Sequence, residues 1–254
     1  MRDEIGTQAR RRTAMVTASG AAIVVSIVAA VAGLAGMHDQ QDDSGPQPAE
    51  SGMVIPIPGE TGSAAAPPAS AAVSPTTGDL RWVSVAGARL PVSASGGPAD
   101  VSAGRARGFA FSKLGAVLAA AHVTLRLSPQ AGPRVFEPTV RDQVVGADAA
   151  TLARNLGEEY EQARSRLGLP YGEPAGTLYA VARGYQVTLS GIDAEVRLLI
   201  EGPGTWQPVL IELTVRTRWI GGDWRIVAPS DGLWGDDART VADTAAFTWF
   251  PAER

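Results

Sequence analysis

The chain contains no cysteine, a single lysine (Lys113) and two histidines among 254 residues. Without cysteine there can be no disulfide staple, thiolate metal site, cysteine nucleophile or lipid-modified cysteine anchor. One histidine, His38, lies in a polar stretch; the other, His122, stands alone among apolar residues, so a zinc site has no ligands to draw on. No glycine loop followed by a lysine is present to cradle phosphate, and no serine elbow. Serine, histidine and aspartate occur without a spacing that suggests a triad. Residues 81–254 carry 18 basic and 18 acidic side chains, so this part has no net charge. Nucleic-acid binding needs clustered positive charge, which this balance argues against.

What the chain does have is one long apolar run. Residues 15–37, MVTASGAAIVVSIVAAVAGLAGM, hold no charged side chain, with Arg10, Arg11 and Arg12 before them and Asp39, Asp42 and Asp43 after. About 20 apolar residues suffice to span a bilayer as a helix, which satisfies its own backbone groups. The arginines are expected to stay in the cytoplasm. A cleaved signal peptide is the competing reading, with Ala30-Val31-Ala32 as a cleavage-like stretch. The run is longer than the roughly 7–15 residues of a signal-peptide core, which favours an anchor.

Four parts are therefore expected: a cytoplasmic tail (1–13), a transmembrane helix (14–37), a Pro/Ala/Ser-rich linker (38–79) and an extracytoplasmic domain (80–254). The linker has seven prolines and almost no large apolar side chain, so it cannot bury enough surface to offset its ordering entropy. As a flexible coil it would reach about 35 Å. Its one apolar island is Met53-Val54-Ile55-Pro56-Ile57-Pro58, an extended peptide that could dock on a partner.

Within the domain, RWVSVAGARLPV (81–92) reads as an extended arm or first strand. Ser112 can cap a helix running from Lys113 to Leu127, stopped by Ser128-Pro129. A short helix is expected over 138–145. Next, Asp148 caps a helix whose Ala149, Leu152, Leu156, Tyr160, Ala163 and Leu167 form one apolar stripe, ended by Gly168. Beyond Pro174 the period becomes two. Tyr179, Val181, Tyr185, Val187 and Leu189 alternate, then Ile192 to Ile200, then Val209 to Trp219, with Gly221-Gly222-Asp223 turning into Trp224-Arg225-Ile226-Val227. Helices followed by antiparallel strands predict an α+β fold, helices packed on one face of a curved antiparallel sheet.

Candidate sites are sparse. His122 on an apolar helix suits packing better than base catalysis. Asp231, Asp236 and Asp237 in DGLWGDD could offer oxygen ligands to calcium, but their spacing fits a solvated loop. Glu158, Glu159 and Glu161 read as the solvated face of their helix, paired with Arg154 and Arg164. No catalytic, cofactor or metal residue is expected. Trp82 and the tail residues Phe247, Trp249 and Phe250 are possible interface anchors, tryptophan being favoured at hot spots. The alternative is that these end segments fold back and seal the domain.

The sequence WIGGDWRIV (219–227), a tryptophan strand, tight turn and return strand, resembles the closing hairpin of nuclear transport factor 2-like domains. Together with the tail, span, linker and element order, it is similar to bitopic inner-membrane subunits of type IV secretion and conjugation channels. The stretches LPVSASGGP, GFAFSKLGAVLAAAH and SPQAGPRVFEPTVRDQVVG resemble an actinobacterial membrane-anchored family of unknown function associated with conjugation-like gene clusters. The resemblance implies a non-enzymatic scaffold subunit of a membrane-spanning secretion or conjugation apparatus, partnered by the bilayer, by channel proteins and by copies of itself. It implies no cofactor and no nucleic acid. The alternative is a membrane-tethered extracellular binding module for a ligand or cell-wall component, which a pocket between helices and sheet would support.

The anchor has a direct test. Replacing Ile23 and Val24 with arginine places two charges near the bilayer centre at about 2.5–3.5 kcal/mol each. The variant is expected in the soluble or degraded fraction; its recovery in washed membranes would remove the anchor.

Overall fold

Beyond Pro174 the hydrophobic period turns from helical to strand-like, and that half of the chain supplies the long strands of the sheet. The computed structural model describes residues 79–204 and 206–252. The expected cytoplasmic tail, transmembrane helix and all of the linker but Asp79 lie outside the described residues. Among the described residues no helix is long and apolar enough to cross a membrane. Strands β1 (Leu80–Val85), β2 (Ala88–Ser93), β3 (Asp100–Ser102) and β4 (Arg105–Arg107) come first. Then follow α1 (Lys113–Arg126), a 3-10 turn (Pro129–Ala131), α2 (Pro133–Gln143), β5 (Val144–Val145) and α3 (Ala149–Leu167). The sheet half holds β6 (Val181–Ser190), β7 (Asp193–Gly202), β8 (Val209–Ile220), β9 (Asp223–Val227), β10 (Ala238–Thr240) and β11 (Thr248–Trp249).

The fold is α+β: three α-helices on a strongly curled sheet of order β1-β2-β6-β7-β8-β9-β5, with β10 on the free edge of β8 and β11 on that of β6. The sheet is mixed, which corrects the antiparallel expectation. β2 meets β6 and β5 meets β9 in parallel, because the chain reaches both positions through long connections instead of hairpins. Residues 81–92 are not one arm but a hairpin; Ala86 and Gly87 both take positive φ (51° and 95°), the turn that matches strand twist. The second helix starts five residues earlier than expected, with Pro133 in its first turn and Pro138 inside it. Val144 and Val145, expected at its end, are strand instead.

The four long strands pair as their alternation requires, except at one point. In β6 the register with β7 skips Arg183, a bulge between Ala182 and Gly184. An extra residue inverts the faces of everything before it. Ala182 is therefore buried and Tyr179 exposed, while Tyr185, Val187 and Leu189 keep the expected side. Gly184 is required there because a Cβ would stand 2.9 Å from the Thr248 carbonyl of β11.

Helix α1 lies within the curl, with every residue but Lys113 buried. Ser112 caps it as expected, its Oγ accepting from Gly115 N at 3.0 Å. Gly115 has no room for a side chain, since a Cβ would come within 1.9 Å of the Ala110 carbonyl. On the opposite, outer face of the sheet the chain's own tail crosses from β10 to β11. Beneath it Glu212, 4 % exposed, takes a bidentate bond from Arg197 (2.7 Å to each oxygen) and a third contact from Arg239 (3.0 Å). Phe247 lies over the Arg197 guanidinium at 5.6 Å. Burial alone would raise the Glu212 carboxyl; the bonds from Arg197 and Arg239 more than reverse this and hold it below the usual glutamate range.

A carboxyl lowered in the folded state contributes stability above its unfolded pKa of about 4.3, and that contribution goes as pH falls through the folded value. Glu212→Gln is expected to lower the unfolding free energy by about 2 kcal/mol at pH 7. In urea titrations at pH 7 and pH 3 the deficit should shrink at the lower pH. An equal deficit at both would assign Glu212 a packing role only.

Candidate functional site

The end of α1 and the N-terminal half of α3 border a gap over the inner face of the sheet. The gap is a cavity of about 210 Å³. Its floor comes from Ile200, Ile211 and Leu213 of the sheet and Ala180 in the segment leading into β6; Leu125 and Leu127 close one wall, Leu152 and Leu156 of α3 the other. The roof is the loop after β9, with Gly232, Leu233, Trp234 and Gly235. That loop is fixed to α3. Asn155 donates its Nδ2 to the carbonyls of Asp231 (3.1 Å) and Gly232 (3.2 Å). Gly232, at φ 63°, sits so close to Leu152 that a Cβ would be 2.5 Å from its backbone nitrogen. Leu233 remains 55 % exposed at the mouth.

The cavity has few polar groups. Glu159 is the one ionisable residue in its lining. Burial raises its carboxyl above the ordinary glutamate range. This corrects the expectation that Glu158, Glu159 and Glu161 share a solvated face. Glu159 lies three and seven residues beyond Leu156 and Leu152, a spacing that places it on their side of the helix. Glu161 is paired with Arg164 at 2.6 Å, and Glu158 is exposed. Ser128 and Thr124 bring hydroxyls, and Thr124 Oγ1 is buried without a hydrogen-bond partner. In place of a solvated acidic loop, DGLWGDD (231–237) supplies the roof, its Asp237 turned to Arg216 at 3.7 Å. Glycines on both sides of Leu-Trp were the available sign of a close-packed loop.

The other sequence candidates lie elsewhere. His122 is fully buried and both of its ring nitrogens are used: Nε2 donates to the Pro91 carbonyl at 2.8 Å and Nδ1 accepts from Arg126 at 2.9 Å. Burial, with the nearby Arg126 charge, pushes its pKa down to about 3, so the ring is neutral at physiological pH. Phe250 is buried against Trp82 (ring centroids 6.2 Å) and Tyr185 (5.0 Å), and Phe247 is buried on the outer face. Trp82, Phe247 and Phe250 thus hold the end segments onto the domain. Trp249 alone of the four is substantially exposed, at 50 %. A second exposed tryptophan, Trp206 at 96 %, stands at the tip of the β7–β8 connection.

The family described as "Domain of unknown function (DUF8175)" matches residues 43–249, and the chain belongs to it. The match begins 36 residues before the first described residue and takes in the apolar island of the linker. No curated protein and no solved structure matches the chain.

A carboxyl raised in the folded state costs stability once pH exceeds its unfolded value, because the unfolded chain ionises first. Glu159→Gln is therefore expected to raise Tm by about 2 °C at pH 7.5, with no gain at pH 4. A lower Tm at pH 7.5 would mean that the carboxylate is already satisfied.

Proposed function

We propose that this chain is a membrane-tethered extracytoplasmic binding domain, acting without catalysis, whose cavity takes an apolar ligand. The observation that carries the reading is the cavity itself, an aliphatic pocket roofed by a loop and partly open at Leu233. It exceeds the roughly 150 Å³ engineered cavity that holds benzene, so it accommodates one ring or a short chain. Binding fits the lining better than turnover, since one carboxyl faces the space and His122 lies outside it with both nitrogens engaged. The charge-free run at 15–37 supports the tether, and the proline-rich stretch gives the domain room to meet its ligand away from the membrane.

The scaffold reading stands second, supported by Trp206 and Trp249, large aromatic side chains left in solvent by a domain that buries most of its others. In that case crosslinked partners recovered from membranes should be lost in Trp206→Ala.

For the first reading, the full chain in lipid nanodiscs is titrated with N-phenyl-1-naphthylamine against empty discs. Saturable one-site binding is expected at micromolar probe. Ala180→Leu, which adds bulk to the cavity floor, should weaken it by at least tenfold while leaving a cooperative melt. Absence of saturable binding, or binding indifferent to Ala180→Leu, would overturn the proposal.

A further inference from the structure

The polar groups around the cavity are unevenly matched, and the mismatch defines what completes them. On α3, Asn155 and Glu159 are four residues apart and lie side by side on one face. Both N–H groups of Asn155 are committed to the two roof carbonyls, which also fixes the amide's orientation: reversed, its oxygen would face two acceptors. Its Oδ1 is the one acceptor the amide has left. Glu159 brings two more acceptor oxygens, and among the described residues no arginine, lysine or histidine nitrogen pairs with it. No cationic side chain occurs anywhere in the lining. The cavity also meets the last turn of α1, whose terminal carbonyls carry partial negative charge. Arg126 belongs to that turn, but its guanidinium is turned to the ring and carbonyl of His122 and is absent from the lining.

An aliphatic space bordered by acceptors and one uncompensated carboxylate complements a single class of small molecule. We infer that the cavity is the site of a cationic amphiphile, its chain or ring seated among Leu125, Leu152, Leu156 and Leu213 and its ammonium group paired with Glu159. This rests on the binding-domain reading above and adds the charge of the ligand. Fatty acids and other anionic heads are disfavoured, because they would meet like charge with no cation to offset it. Neutral chains enter the same space but leave the carboxylate unpaired.

Three ligands of equal length isolate the head group: octylammonium, octanol and octanoate, each kept below its micelle concentration. Affinities are read by isothermal titration of the full chain in zwitterionic nanodiscs, with empty discs as the blank. Octylammonium is expected to bind about tenfold more tightly than octanol, as a charge-assisted hydrogen bond allows, with octanoate weakest. Glu159→Gln should abolish the ammonium preference, octylammonium falling to the level of octanol, while a cooperative melt shows that the variant is folded. Octanol or octanoate binding as well as octylammonium, or a preference that survives Glu159→Gln, would overturn the cationic-ligand inference while keeping the cavity as a binding site. Failure of all three to bind would overturn both.

Discussion

Helix α1 has no wet face beyond its first residue, so the polar groups it carries have to be answered inside the protein, Thr124 Oγ1 beside the cavity being the exception. That requirement shapes the rest. A flat sheet could cover one side of such a helix; only a curled one, closed at its ends by the β1–β2 hairpin and by β5, encloses it. Small residues let the strands come close, with Ala116, Ala119, Ala120 and Ala121 all fully buried. The polar residues are then resolved locally. Arg126 bonds to the ring and carbonyl of His122 one turn back, and His122 hands its remaining N–H to Pro91 of β2. Without that ring the buried guanidinium would lose a neutral acceptor, an expensive omission in a low-dielectric core. His122 is thus a bridge between helix and sheet, which accounts for a lone histidine on an apolar helix.

Much of this was legible because local signals and tertiary demands agree. Ser112, Gly168 and the Gly221-Gly222 turn act where their chemistry places them, and the stripe Leu152, Leu156, Tyr160 and Ala163 is the buried face of α3. The misread parts are those where a distant segment decides. Arg183 gives no local sign of being skipped; the bulge answers to Phe250, whose N–H bonds its carbonyl, and to the tail strand lying against Gly184. Pro138 looked like a helix start because proline suits a first turn, whereas Pro133 already occupies that position and Pro138 costs the helix one internal bond. The parallel pairings of β2 and β5 carry no pattern of their own, each involving one or two residues.

The tail illustrates the same limit from the outer face. Alternation marks Glu212 and Arg197 as solvent-facing, and a strand read alone would leave them there. A segment with weak periodicity, residues 241–247, ends in Phe247 over the Arg197 guanidinium, and Glu212 of the pair is buried while Arg197 is half-buried. Sequence identifies the face; it does not identify what later covers it.

The candidate site was the least legible feature, because a cavity is defined by residues that fail to meet. Leucines and isoleucines along α1, α3 and β8 all read as core, and most are. Filling the space is sterically simple, since Ala180 on its floor could be any larger aliphatic residue. The same domain packs Gly115 to within 1.9 Å of a carbonyl and Gly232 to within 2.5 Å of α3, so it does not pack loosely in general. The space lies beside Glu159, a half-buried carboxylate of α3 with no counter-ion among the described residues, and a bound cationic chain would fill the one and pair the other.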